Sequence, residues 1–160
     1  MSFSGEDPGK MYEEIFRDPR FRPDMVKIYP LMVMPDTPLY DMWKRGDYKP
    51  YPLEVLVEVL VKWLELMPPY ARIQRIRREI PASEAADGKY PRNLRKLVEQ
   101  ELKGRGMKCR CISCREVENP ESLRRLCEAA RRIEMVETRY ETDGGQEIFL
   151  SYESPERLST

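Results

Sequence analysis

Histidine is absent from this sequence of 160 residues. That absence removes a histidine general base, a Ser-His-Asp or Cys-His nucleophile pair, and any zinc site built on imidazole. Long apolar runs are missing as well: none approaches the ~18 residues a membrane span needs. The N-terminal MSFSGEDPGK carries no apolar signal-peptide core. Net charge is missing too, since 28 basic and 28 acidic residues cancel. Together these absences predict a cytoplasmic protein with no membrane partner. The 41% hydrophobic and 35% charged content fits a globular chain long enough to bury a core.

The neutrality is an average. Residues 1–69 hold 9 Lys and Arg against 12 Asp and Glu, whereas residues 70–115 hold 13 against 5, a balance of +8. Residues 116–160 return to 6 against 11. A basic middle third produces a local positive field that attracts polyanions, although a solvated basic face would look the same in composition.

All four cysteines lie between positions 109 and 127, three of them in Cys109-Arg-Cys111-Ile-Ser-Cys114. Without an export signal, a disulfide framework is disfavoured and metal or redox chemistry is favoured. The C-x-x-C of Cys111 and Cys114 lets two sulfurs converge from one tight turn, and Cys109 can add a third. Flanking Lys108, Arg110 and Arg115 would offset thiolate charge. Thiolates select zinc or an iron–sulfur cluster over hard cations, and four of them make a closed structural site. A thioredoxin-like motif would need a strand–turn–helix setting, but this one lies in a Gly/Lys/Arg-rich connector. Cys127 is the remaining thiol available as a fourth ligand. It sits in SLRRLCEAARR, where Leu123, Leu126, Cys127 and Ala130 share a helical face, so it could equally be a small core residue.

Hydrophobic periodicity predicts alternating elements. A short amphipathic helix spans Lys10 to Phe16, and a strand covers Met25 to Tyr29. After the turn Pro35-Asp36-Thr37-Pro38 comes a small helix, Leu39 to Lys44, stopped by Arg45-Gly46-Asp47. The strongest helix runs from Pro52 to Met67, with Leu53, Leu56, Val57, Leu60, Leu64 and Met67 on one face. A strand from Tyr70 to Ile76 then completes a βαβ crossover. Residues 82–91 read as an irregular loop and Arg92 to Lys103 as a second amphipathic helix, with Leu94, Leu97, Val98 and Leu102 inward. Glu134–Thr142 and Gln146–Tyr152 are two strands joined through Asp143-Gly144-Gly145, a hairpin signal. A boundary is expected near Arg132.

Strict alternation along the second strand would put Arg72, Gln74, Ile76 and Arg78 on one face and Ala71, Ile73, Arg75 and Arg77 on the other. Neither face is cleanly apolar, so at least one arginine must meet a carboxylate, a phosphate or a cofactor. A structural Arg–Glu pair with Glu65 or Glu79 is the competing expectation. Lys27, between Val26 and Ile28, poses the same question.

Several strings, in order along nearly the whole chain, resemble the catalytic subunit of Elongator, a radical-SAM tRNA-modifying acetyltransferase, in its archaeal form. They are Phe21-Arg-Pro-Asp-Met-Val-Lys-Ile-Tyr-Pro30, Thr37-Pro-Leu-Tyr40 with Trp43-Lys44, and Arg72-Ile-Gln-Arg-Ile-Arg-Arg-Glu-Ile-Pro81. Asn93-Leu-Arg95, Cys109-Arg-Cys-Ile-Ser-Cys-Arg-Glu116 and Gly144-Gly-Gln-Glu-Ile-Phe-Leu-Ser-Tyr-Glu153 complete the set. The resemblance implies an α/β segment of that enzyme. Residues 1–80 would be the C-terminal part of a radical-SAM partial TIM-like barrel, 81–132 a zinc-binding basic linker, and 133–160 the first strands of a GNAT-type acetyltransferase domain. No counterpart of the family's iron–sulfur cysteine motif or of its Gly-rich acetyl-CoA loop occurs here, and Glu79 stands where the family reads Asp. A truncated segment, inactive alone, is therefore expected.

The resembled enzyme carboxymethylates C5 of the wobble uridine in tRNA with acetyl-CoA, S-adenosylmethionine and a 4Fe-4S cluster. The resemblance implies a structural zinc on Cys109, Cys111 and Cys114, with Cys127 as the candidate fourth thiolate. It implies that Arg72, Arg75, Arg78 and Lys27 face the tRNA and active-site cleft. Charge alone adds Lys89, Arg92, Arg95, Lys96 and Arg115 as phosphate contacts. Expected partners are tRNA and either the rest of the same enzyme or a homodimer mate. The competing functional reading is a stand-alone zinc-stapled RNA-binding module without catalysis, and a bare α/β scaffold holding only zinc is a third.

Overall fold

The computed structural model describes residues 8–77, 79–117, 124, 128 and 133–154. Its elements, in order, are helix α1 (Pro8–Arg17), strand β1 (Met25–Ile28), helices α2 (Pro38–Arg45) and α3 (Leu53–Leu66), and strand β2 (Arg72–Ile76). A 3₁₀ turn (Ala82–Glu84), helix α4 (Leu94–Gly104) and the short helix α5 (Ile112–Arg115) follow, and then strands β3 (Glu134–Thr142) and β4 (Gly145–Glu153). Expected helices and strands reappear with ends shifted by a residue or two, as frayed termini allow.

Strands β1 and β2 pair in parallel, with α2 and α3 in the connection between them. The crossover is thus present, and α3 covers it through buried Leu56, Leu60, Val61 and Leu64. Helix α4 adds Leu94, Val98 and Leu102, and α1 adds Tyr12, whose ring stacks on Trp63 at 4.6 Å. Helix α2 begins where its cap signals place it: the Thr37 hydroxyl accepts from Tyr40 N at 3.2 Å, and Pro38 occupies the first turn. Gly46 closes it by donating to the Met42 and Trp43 carbonyls.

The strict alternation expected for β2 is broken. Val26 faces Ile73 but Lys27 faces Arg75, so Gln74 is an extra residue in the ladder. That slip re-aims the strand. Ile73 and Ile76, three residues apart, both become buried, and Gln74 is left exposed. The arginines on either side then reach acidic neighbours. Arg75 pairs with Glu79, the structural Arg–Glu alternative for that position, and Arg72 grips Glu116 with both terminal nitrogens.

The irregular loop of residues 82–91 is tied down without a long element of its own. Val33 N donates to Asp87 O at 3.0 Å and Ala86 N to Val33 O at 2.8 Å. Trp43 Nε1 donates to the Asp87 carboxylate at 2.9 Å. Gly88, at φ +71°, lies so near the chain that a Cβ there would stand 2.8 Å from Leu31 O, so only glycine suits both the space and the backbone.

Strands β3 and β4 form the expected antiparallel hairpin, with Thr142 opposite Gly145 and Gly144 at φ +86° in the turn. Val136, Thr138, Tyr140, Phe149, Ser151 and Glu153 turn inward. Met135, Ile148, Leu150 and Tyr152 are exposed apolar residues of the outer face. The inner face docks on the parallel unit: Tyr140 stacks on Tyr70 with centroids 3.7 Å apart, and its hydroxyl donates to Asp24 Oδ1 at 2.8 Å. Arg22, held at φ +27°, donates to Glu141 O at 2.6 Å from the same side.

Candidate functional site

After α4 the chain turns back under β2, and Ile112 N donates to Ala71 O at 2.9 Å. That bond and the Ser113 hydroxyl, which donates to Ile73 O at 2.9 Å, pin the cysteine turn to the strand. Cys109, Cys111 and Cys114 consequently converge, with their Sγ atoms all within 4.8 Å of one another. Cys111 is fully buried, Cys109 is 9% exposed and Cys114 is partly exposed, and all three are free thiols.

The turn's own chemistry favours thiolate. Hydrogen bonds from Cys109 and Cys114 pull the Cys111 pKa down to about 2 against its burial. Cys109, through its hydrogen bond to Cys111, is pushed up. Arg95 brings a guanidinium to the cluster: Nη2 lies 3.5 Å from Cys114 Sγ, Nε donates to Glu99 at 2.7 Å, and Nη1 donates to Ile73 O at 3.1 Å. Glu99 Oε1 is itself 3.9 Å from Cys114 Sγ.

Three converging sulfurs in one cradle, two of them on buried cysteines and a cation alongside, fit a soft metal. Ligands at ~2.3 Å around a tetrahedral zinc are separated by roughly 3.8 Å, within reach of this cluster by small shifts. Cys109, Cys111 and Cys114 would hold the ion, which would act as a structural cross-link for the turn. Cys127 lies outside the described residues. Arg124 and Glu128, on either side of it, are paired at 3.7 Å.

The expected basic residues divide into two groups. Arg72 and Arg95 line one open groove with Gln74, Glu99 and Ser113, directly beside the cysteines, and both are engaged by carboxylates. Lys27, Lys89, Arg92 and Lys96 are exposed, and Lys27 is in register with Arg75 on the neighbouring strand. Arg78 lies outside the described residues.

Arg115 departs from expectation. It is 8% exposed, and its guanidinium points inward. Nη1 meets Glu153 Oε1 at 2.5 Å, Nη2 donates to Pro69 O at 2.7 Å, and Nε donates to Arg110 O at 2.8 Å. Glu153, 5% exposed, also accepts from the Ser151 hydroxyl at 2.8 Å. The residue that follows Cys114 thus clamps the end of β4. The spacing of Arg95 and Glu99, four apart on a helix, could have announced their pair. Nothing local announces Glu116 or Glu153, whose partners are 44 and 38 residues away.

A family model described as the Radical_SAM C-terminal domain matches residues 23–104. The chain is 46% identical over 144 residues to a tRNA uridine(34) acetyltransferase of Methanocaldococcus jannaschii, covering 90% of this chain and 27% of that protein. It is 38% identical over 148 residues to the Elongator complex protein 3 of Homo sapiens, covering 92% and 27%. The solved structure of the archaeal Methanocaldococcus infernus Elp3 with an N-terminal deletion superposes with a TM-score of 0.84 at 42% identity, over 95% of this chain and 36% of that one. The chain thus spans about a quarter of the length of the curated relatives it matches.

Proposed function

From the premise that the chain belongs to the Radical_SAM C-terminal domain family, we propose that it serves in tRNA wobble-uridine modification, contributing an RNA-contacting surface and a metal-stapled joint. The observation that carries this reading is the 46% identity, over 90% of the chain, to a protein named for acetyl transfer to tRNA uridine 34. The finer chemistry we propose is carboxymethylation at C5 of that uridine, drawing on acetyl-CoA, S-adenosylmethionine and a 4Fe-4S cluster. In this reading residues 1–80 belong to the radical-SAM barrel, 81–132 to a zinc-binding linker, and 133–160 to the acetyltransferase fold. Zinc on Cys109, Cys111 and Cys114 fastens the linker. The exposed apolar face of the hairpin (Met135, Ile148, Leu150 and Tyr152) would pack against other parts of the same enzyme or against a second copy.

The burial pattern refines which basic residues serve RNA. Lys27, Lys89, Arg92 and Lys96 present exposed charge, whereas Arg72, Arg75 and Arg95 are paired with Glu116, Glu79 and Glu99. Of these, Arg72 and Arg95 shape the groove, and the exposed lysines supply phosphate contacts. Filter binding of the chain to unmodified tRNA across a salt series tests this. Affinity should fall with log salt at a slope of roughly −0.7 to −0.9 per phosphate contact. The Lys27→Glu, Lys96→Glu double variant should lose about tenfold and flatten the slope. Equal binding and equal slope would remove this surface from the RNA interface.

A further inference from the structure

The three sulfurs of the cysteine turn are not supported alike. Cys109 Sγ accepts from Cys111 N at 3.5 Å, inside the turn itself. Cys111 Sγ accepts from the backbone N–H groups of Ile73 and Cys114. Such main-chain donors come with the path of the backbone and ask for no particular side chain. Cys114, the most exposed of the three cysteines, takes a donor from a charged side chain on another element. Its sulfur lies 3.5 Å from Nη2 of Arg95, which stands in the first turn of α4.

That guanidinium is aimed. Its Nε donates to Glu99 Oε1 at 2.7 Å, one helical turn further on, and its Nη1 donates to Ile73 O at 3.1 Å. With two corners of a rigid planar fork fixed, the third is directed at the sulfur. Ile73 O also accepts from the Ser113 hydroxyl at 2.9 Å, so one carbonyl of β2 registers both the arginine and the turn. The Arg95 side chain is 29% exposed, and partial shielding from water strengthens a charge-assisted bond. Glu99 Oε1 lies 3.9 Å from Cys114 Sγ. A carboxylate and a thiolate that close repel each other unless a cation is shared between them, and Arg95 touches both.

We propose that Arg95 is a positioning residue of the metal centre, donating to the Cys114 thiolate and holding that sulfur in the cradle. The inference rests on the reading that Cys109, Cys111 and Cys114 bind a soft metal. Three thiolates outweigh a divalent ion, and the guanidinium offsets the excess negative charge on the side that faces water. Cys109 and Cys111 are secured by backbone donors, so Cys114 is the ligand whose hold depends on a side chain. Arg95 therefore sets both the affinity of the centre and the reactivity of its exposed sulfur, and Glu99 sets the aim of Arg95.

The test is titration of the reduced full chain with cobalt(II), then competition with zinc(II), for wild type, Arg95→Met, Arg95→Lys and Glu99→Gln. Losing a partner that orients a ligand typically costs 10–100-fold in affinity, and Arg95→Met should lose about tenfold or more. Its sulfur-to-cobalt charge-transfer bands should shift, because the Cys114 sulfur has lost its donor. Arg95→Lys, which keeps the charge without the fork, and Glu99→Gln, which keeps the fork but loosens it, should fall between wild type and Arg95→Met. In the zinc-loaded chain iodoacetamide should label Cys114 first, as read by peptide mass spectrometry. Labelling should be about tenfold faster in Arg95→Met, since a thiolate relieved of a neighbouring cation is the stronger nucleophile. Arg105→Met breaks the ion pairs with Glu58 and Glu101 at the far end of the same helix and should leave bands and labelling as in wild type. If Arg95→Met does not fold by near-UV circular dichroism, Arg95→Lys and Glu99→Gln decide by the same readouts. Wild type that binds neither cobalt nor zinc sinks the metal reading and this inference together. Metal bound with bands, affinity and Cys114 labelling unmoved in the folded variants sinks this inference alone, as does an equal change in Arg105→Met.

Discussion

Arg115 and Glu153 offer the sharpest test of how the cysteine turn is joined to the hairpin. Their side chains are 9% and 5% exposed and meet at 2.5 Å. Arg115→Met removes the guanidinium and, with it, the bonds to Pro69 O and Arg110 O. Glu153 would then lose its guanidinium partner and keep the bond from the Ser151 hydroxyl. Leaving a buried charge without its partner typically costs ~3–5 kcal/mol, which is a large share of the ~5–15 kcal/mol that holds a domain together. Glu153→Gln keeps an acceptor for the arginine and should cost less, roughly 1–3 kcal/mol. In the Arg115→Met, Glu153→Leu double variant both charges are gone, so its loss should fall short of the sum of the single losses by about 0.5–3 kcal/mol. Urea unfolding monitored by tyrosine and tryptophan fluorescence gives the energies. Amide exchange along β3 and β4 shows whether the hairpin loosens first. A single variant within 0.5 kcal/mol of wild type, or strictly additive losses, would refute the clamp.

Two further outcomes are expected. The purified chain should bind about one zinc equivalent, which Cys111→Ser should abolish; because ligation needs deprotonated sulfurs, acid should release the metal with proton uptake, as read by a colorimetric chelator across pH. Burial and the bond to Asp24 raise the Tyr140 pKa above its ordinary value near 10, so the folded form resists ionisation. Its contribution to stability should be complete below pH 10 and decline as pH rises through and beyond that point, when the unfolded chain ionises first. Denaturant titrations at pH 8 and pH 11 should show this decline in wild type and a smaller one in Tyr140→Phe, and equal declines would remove Tyr140 from the docking contact.

The helices and the crossover were legible because their causes are local. Apolar residues at spacings of three and four place Leu56, Leu60 and Leu64 on one side of α3, and Thr37-Pro38 and Gly46 punctuate α2 at both ends. The face of β2 was not legible. Alternation assigns Ile73 and Ile76 to opposite sides, but the slip at Gln74 buries both, and a slip in a ladder is decided by the partner strand and the helix above it. The loop of residues 82–91 reads as irregular and is so by element type. Its rigidity depends on Val33, Trp43 and Leu31, which lie some fifty residues away and are brought close by the fold.

The cysteine cluster was legible because three thiols within six residues can converge from one short turn, which the bonds to Ala71 O and Ile73 O then fix on β2. The basic residues were not, because charge in a sequence says nothing of what neutralises it. Thirteen cations in residues 70–115 suggest one broad polyanion face. The fold instead sends Glu116 to Arg72, Glu99 to Arg95 and Glu153 to Arg115, converting three of them into struts around the cysteine turn. Glu153 lies in the acidic last third, so the excess negative charge there is partly the counterpart of the basic middle. Among the described residues, positive charge has no ion-pair partner at Lys27, Lys96, Arg77 and Arg92. For that reason binding is to be sought at these residues, and a charge reversal at Arg95 or Arg115 would report on folding before it reported on RNA.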